Sequence, residues 1–290
     1  MRRGGAGAAR AAAAALGLLA VATFLVPLVS SSDPLAIGDV LARRLVQPFS
    51  ADSAGAFHLF GTDRFGRDLF VRMMLAGRIS LAVGVGGSVL AALAGTAVGA
   101  TAAWRGGTTD RVAMAIADTM LAVPRLVLLL VCAALWRPGV TTVVAVLVAT
   151  GWMGVARIVR SEVQGVRERP FVTAAEALGL TGQRMLWRHV VPNALGPAIV
   201  ATTLGVGNAI LLESGLSFLG LGVQPPQPSW GNMIAGGRDL IVTAPWVSIA
   251  PGLTLVLTVL CATLLGDHLR DVLAGQRPGA ESARSLSDRA

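Results

Sequence analysis

Residues 171–193 read FVTAAEALGLTGQRMLWRHVVPN. This arginine-bearing, helix-prone segment is held between two long apolar runs, which puts it at a membrane face. Phe171, Ala174, Ala175 and Leu178 recur at i, i+3, i+4 and i+7 and predict one apolar helix face. Gly179 supplies the left-handed conformation that ends such a helix. Thr181 is placed to N-cap a second helix, and Pro192 marks the end of that one. The second helix carries Met185, Leu186, His189 and Val190 on one side and Arg184 and Arg188 on another. A helix–glycine–helix elbow of this kind suits docking into a groove on a partner, with Leu178 and Leu180 as the knuckle that transmits a push. An amphipathic loop resting on lipid headgroups fits the same pattern.

The chain outward from this loop is a membrane protein by composition. Of its 290 residues 54% are hydrophobic and only 14% charged, too few to clothe a soluble domain of that size. All 24 basic residues are arginine; lysine and tyrosine are absent. A phosphate-binding P-loop needs its lysine, and so does a Schiff-base enzyme. The chain is therefore no Walker-type ATPase, and any ATP that drives it belongs to a partner. The net charge of +8 follows from arginine on cytoplasmic loops and does not point to nucleic acid. Cys132 and Cys261 fall in separate apolar runs without a histidine nearby and read as small buried hydrophobes.

The fold class expected is all-α, a polytopic membrane protein with about six transmembrane helices. The apolar runs are 11–30, 79–103, 111–136, 139–157, 194–219 and 245–266, each near the roughly 20 residues that cross a bilayer. The first run follows Arg2, Arg3 and Arg10 and has the outline of a signal peptide too, but no small-x-small cleavage site follows Pro27. With the N-terminus inside, fifteen arginines face the cytoplasm and eight the other side, Arg125 lying within the third span. Both termini and the 157–193 loop then face the cytoplasm. The organisation follows: 1–30, cytoplasmic N-terminus and first span; 31–78, an extracytoplasmic loop with an interfacial helix; 79–273, a core of five spans; 274–290, a disordered cytoplasmic tail.

The spacing Ala174-Ala175, Gly179 after three residues and Pro192 after twelve more resembles the "EAA" coupling loop of ABC importer permeases. The resemblance implies a type I importer permease fold and a loop (Ala174, Ala175, Glu176, Leu178, Gly179, Leu180, Pro192) that docks onto an ATPase. The family's acid position carries Thr173 here, with Glu176 three residues on, so the implied docking rests on Gly179 and the apolar face.

Four further stretches narrow the resemblance. Residues 58–84 contain GTDRFGRD, in which Gly61 and Gly66 punctuate a turn, Asp63 is placed to cap the following helix, and Asp68 and Arg72 are spaced to pair at i, i+4. Leu69, Phe70, Met73 and Met74 then form the apolar stripe of an interfacial helix. The string Gly61, Thr62, Asp63, Gly66, Arg67, Asp68 is similar to a signature of the peptide/nickel subfamily. So are IADTMLAVPRL (116–126), ESGLSFLGLGVQPPQPSWGNMI (213–234) and LLGDHLRDVL (264–273). The likeness is to a C-type permease of dipeptide and oligopeptide importers. It implies a second, B-type permease, two ABC ATPase subunits carrying ATP and Mg, an extracytoplasmic substrate-binding protein and surrounding lipid, with no cofactor, metal or nucleic acid on this chain.

Polar groups inside the spans need company, because a charge at the bilayer centre costs roughly 2.5–3.5 kcal/mol. Asp118 and Arg125, seven apart, are expected on one helix face, and with Glu213 they either line a translocation path or pair structurally. Gly87, Ala91, Gly95 and Gly99 at four-residue steps allow close helix approach, including at a subunit interface. Pro225, Pro226 and Pro228 make the 223–230 loop too stiff for a tether; it suits a rigid rim or a plain connection. The alternative cargo is nickel or another small solute. The alternative class is an ATP-independent secondary transporter, against which stands the absence of inverted repeats, of helices broken at the midplane and of a chain of intramembrane acids. An intramembrane enzyme lacks a catalytic cluster, since His58, His189 and His268 are expected in separate loops.

Overall fold

The computed structural model describes residues 3–30, 33–37, 40–177, 179–180 and 182–275. Long helices dominate. Helix α1 (Arg3–Val29) is followed by a short turn α2 (Val40–Arg43) and a two-residue hairpin, β1 (Ser50–Ala51) against β2 (Phe57–His58). Helix α3 runs over Leu69–Arg105, and α4 (Gly107–Ala122) and α5 (Arg125–Leu135) follow. Helix α6 spans Val140–Arg167, and the loop that follows holds α7 (Pro170–Ala177), α8 (Gly182–Met185), a π turn (Leu186–Val190) and α9 (Val191–Ala194). Helix α10 (Gly196–Phe218), α11 (Trp230–Gly237) and α12 (Trp246–Gly275) complete the bundle. Among the described residues five helices are long and apolar enough to cross a membrane, six if α4 and α5 count as one bent span.

Several boundaries differ from the sequence expectation; the expected span 139–157, for one, is part of α6, which continues to Arg167. The stretch 69–78 is not a separate interfacial helix: α3 is continuous over 37 residues, about 55 Å, so it overreaches the bilayer core. Its N-cap is Asp68, which accepts from Val71 N at 3.0 Å, not Asp63. The expected span 111–136 is broken. Val123 is extended ahead of Pro124, as the proline ring requires of its predecessor, and α4 and α5 meet at 94°. At the C-terminus α12 runs to Gly275, so Ala274 and Gly275 are helical; residues 276–290 lie outside the described residues.

The core is built on α3 and α6. A Cβ on Gly99 would strike the carbonyl of Ala156, and one on Gly95 the carbonyl of Trp152, while Gly87 faces Leu147 and Ala91 faces Gly151. The small-residue stripe thus packs within the chain, against α6, and does not supply a subunit interface. On the other flank of α3, Trp230 is fully buried, its Nε1 donating to Met73 O at 3.1 Å. His268 lies on α12 and His189 in the π turn rather than in open loops.

Candidate functional site

The loop between α6 and α10 is tied to the bundle by its own apolar side. Helix α7 ends at a glycine: Gly179 has φ +81° and Leu180 N donates to Ala175 O at 3.2 Å, the six-to-one bond of a Schellman cap. Such a cap brings the residue after the glycine back onto the helix, and Leu180 and Ala175 both pack against the core at the C-terminal ends of α3 and α6. Leu180 therefore packs toward the permease body while staying partly exposed. Val172, Met185, Leu186 and Val190 are buried in that core as well, alongside Ala103, Val159, Val163 and Val166. Pro192 does not end the second helix. It sits at the start of α9, and the helix ladder widens ahead of it because it has no amide to give: Val191 N reaches back to Leu186 O, and Asn193 Nδ2 covers His189 O at 2.7 Å.

What the loop shows outward is different. Phe171 (41% exposed) and Trp187 (42%) stand out with Ala174, Arg184 and Arg188. The side chain of Glu176, and Leu178 and Thr181 altogether, lie outside the described residues. The loop is registered on α3 by Trp104. Gly182 lies against its indole, where a Cβ would come within 3.1 Å of Nε1, and Arg167 covers the ring at 5.3 Å.

The GTDRFGRD segment folds on itself. Asp63 Oδ1 accepts from Phe65 N (2.8 Å) and Arg67 N (3.1 Å), its Oδ2 from Arg67 Nε (2.8 Å), and Gly66 takes φ +73° to close the turn. Thr62 Oγ1 donates to Arg43 O at 2.6 Å and accepts from Val46 N at 2.8 Å; Gly61, at φ +75°, has no room for a Cβ beneath the Val46 carbonyl. Asp68 does not pair with Arg72. Its Oδ2 accepts from His58 Nδ1 at 2.6 Å, while Arg72 Nη1 donates to Pro34 O at 2.9 Å and its Nε lies 3.9 Å from Asp63. Beyond His58 lies Asp52 (3.5 Å), which also pairs with Arg43. The Asp52 carboxyl is held below the usual carboxylate range by the Ala56 amide, against the cost of burial, with His58, the Ala54 amide and Arg43 adding to the effect.

The three charged residues expected to share a path are separated. The bend at Pro124 removes Asp118 and Arg125 from any common face. Asp118 is exposed and pairs with Arg157 at 3.4 Å, beside a bidentate bridge of Arg160 to Asp110 (2.5 and 2.6 Å) that ties α4 to α6. Glu213 is fully enclosed: Ser80 (3.0 Å) and Ser214 (3.3 Å) donate to its Oε2 and Ser217 (2.7 Å) to its Oε1. Arg125 faces a cavity of about 320 Å³ among α3, α6 and α10, and Asp118 a separate one of about 540 Å³ between α4 and α6. The sequence reading had missed Asp110, Arg160 and the three serines. The serines recur inside apolar runs and Asp110 and Arg160 flank two others, a signal that names no partner.

Residues 77–274 match the family described as "Binding-protein-dependent transport system inner membrane component". The chain belongs to that family. The permease is 37% identical over 265 residues to the dipeptide transport system permease protein DppC of Alkalihalophilus pseudofirmus, covering 90% of this chain and 84% of that one. A Brucella suis protein named as a peptide permease is 44% identical over 216 residues, 74% of this chain and 72% of its own. In fold the permease resembles a chain of the MetNI methionine ABC transporter in an inward-facing conformation, with TM-score 0.57 and 17% identity, covering 71% of this chain and 96% of the other. The architecture is that of a type I ABC importer permease. The bend at Pro124 corrects the expectation that no helix is broken, yet family membership sets aside the secondary-transporter class.

Proposed function

We propose that the permease carries short peptides, delivered by an extracytoplasmic substrate-binding protein, in an assembly with a second, B-type permease and two ABC ATPases. ATP and Mg are bound by those ATPases; this chain hydrolyses nothing and holds no cofactor. Its N- and C-termini face the cytoplasm, as the arginine distribution favours. The observation that carries the reading is the 37% identity to a dipeptide permease over 265 residues, 90% of the chain.

The geometry supports a mechanism for coupling. The exposed side of α7 and the π turn, Phe171, Ala174, Trp187 and the arginines, meets the ATPase, while the buried side grips the inner ends of α3 and α6. Helix α6 is unbroken for 28 residues from Val140 to Arg167, so a displacement of α7 moves the whole of it. The Arg160–Asp110 bridge carries α4 along, and with it the bend at Pro124. ATPase closure thereby reaches the cavity at Arg125 by rigid-body rocking.

Deletion of the gene followed by uptake of labelled dipeptide, tripeptide and nickel tests the cargo. Loss of peptide uptake with nickel entry intact is the result expected; lost nickel uptake with peptides unaffected would sink it.

A further inference from the structure

We infer that Arg125 holds the C-terminal carboxylate of the cargo in mid-membrane; the inference rests on the peptide reading above. The Arg125 Nε is wholly buried and bonded to nothing, and the guanidinium makes no hydrogen bond or ion pair among the described residues. A guanidinium offers five donors in a rigid fork and stays charged in any protein setting. Left without water or an anion, such a group is costly, and as the first residue of α5 it sits where the helix dipole is positive as well. The arrangement asks for a carboxylate.

The surroundings say where that carboxylate comes from. The cavity contacts Gly87, Ser88 and Ala91 in α3, Gly151 and Gly154 in α6 and Gly205 and Asn208 in α10, all near the midpoints of these helices. It thus lies at half depth in the bundle, against the break in the third span, where transporters commonly site their cargo. Among the described residues the lining carries one charge, Arg125, and no acid. Ser88, Thr202 and Asn208 add uncharged donors and acceptors suited to a peptide unit. The glycines make the space: a Cβ on Gly151 would come within 3.2 Å of Arg125 Nη2. A volume of about 320 Å³ is at the lower end of small-molecule sites, roughly 300–1,000 Å³, and fits a short peptide better than a long one. One fixed cation and no fixed anion recognise a terminal carboxylate shared by all peptides and leave side chains unread.

The test uses the complete importer in proteoliposomes with its binding protein saturated by alanyl-alanine or by alanyl-alaninamide. Wild-type permease is expected to prefer the free acid. R125Q narrows the acid-to-amide ratio of uptake by about ten- to hundredfold, the loss expected for a charge-assisted bond, and R125K keeps most of the preference. If R125Q abolishes uptake of both forms, R125K decides: retained uptake with the acid preferred supports the assignment, and loss of both overturns it. An unchanged ratio in R125Q with peptide uptake intact overturns the role of Arg125 and leaves the peptide reading standing. Dissociation of the second permease from R125Q on size exclusion overturns it too, by making Arg125 the mate of a carboxylate on that subunit. If wild-type importer moves neither peptide, the cargo reading itself fails and takes the inference with it.

Discussion

Arg78 donates its Nε to the carbonyl oxygen of Thr23 at 2.7 Å, and Thr23 is the residue four before Pro27. Proline has no amide, so the Thr23 carbonyl has lost its helical partner and α3 supplies a charged one. Arg78 Nη2 also reaches Phe24 O at 2.8 Å, and the guanidinium lies over the Phe24 ring. The arginine thus fastens α1 to α3 at the place where α1 is locally unsatisfied. R78Q is expected to lower stability in detergent by about 1.5 kcal/mol, the low end for a bond to a charged group. In a P27A background, where the helix serves its own carbonyl, the same change costs less. Thermal unfolding of the four proteins of this cycle measures the coupling, and strict additivity would deny it.

Close packing of α3 on α6 yields a second prediction. Gly99 and Gly95 sit against backbone carbonyls of α6, which have no rotamer to turn aside, whereas Gly86 has nothing within 4 Å. G99A and G95A are each expected to cost about 1–3 kcal/mol as overpacking, and G86A to be neutral. Monodisperse yield after solubilisation ranks the three; equal yields would mean the helices separate without penalty.

Glu213 separates two roles that the sequence left equal. Three serine hydroxyls from α3 and α10 converge on it, and Ser217 Oγ also accepts from Val223 N, so the cluster anchors the start of the outer proline loop. E213A strands these donors in a dry interior and is expected to cost about 3 kcal/mol or more. E213Q keeps the shape, and hydroxyl rotation re-pairs most of the bonds, so both fold and uptake are largely retained. Wild-type stability in E213A would refute the anchor, and abolished uptake in a stable E213Q would return Glu213 to the cargo path.

Acid should loosen the outer hairpin through Asp52. Its pKa is depressed in the fold, so it contributes stability that is fully present above the unfolded value of about 3.9 and is lost as pH falls through the folded one. Protease cleavage of the 50–58 hairpin in reconstituted permease should stay slow from pH 7 to about 4 and quicken below. In D52N the hairpin loses its hold on Arg43 and is cut readily across the whole range. A pH-independent rate in wild type would sever the link.

Much of the architecture was legible because the bilayer imposes long apolar runs, and six such runs can be counted without knowing their contacts. The elbow was legible for a local reason: Gly179 ends a helix whatever lies around it. What escaped were relations set by tertiary distance. Pro124 could bend or merely kink a span, and only packing of α5 against α6 and α10 shows that it turns through 94° and parts Asp118 from Arg125. Asp68 looked like the natural mate of Arg72 at helical spacing, but it precedes the helix as its cap, and His58 arrives from the hairpin to claim its second oxygen. The Gly87–Gly99 stripe announced close approach without saying to what.

The inner elbow carries the last prediction, because its two faces have opposite fates. Leu180 packs against the core while Phe171 and Trp187 are exposed, so the proposed coupling assigns contact with an ATPase to the latter pair. Both native cysteines are half-buried and unpaired, and replacing them gives a background for single probes. In native membranes a cysteine at Phe171 or Trp187 should cross-link to a Walker-motif ATPase, and one at Leu180 should not. Gly179→Val places a β-branched residue at φ +81°, a conformation such residues adopt only under strain of about 1–3 kcal/mol. It should reshape α7 and weaken both the cross-link and ATP-driven uptake, while ATP hydrolysis by the isolated ATPases continues. Efficient capture from Leu180 and none from Phe171 or Trp187 would mean that the loop turns over when the complex assembles.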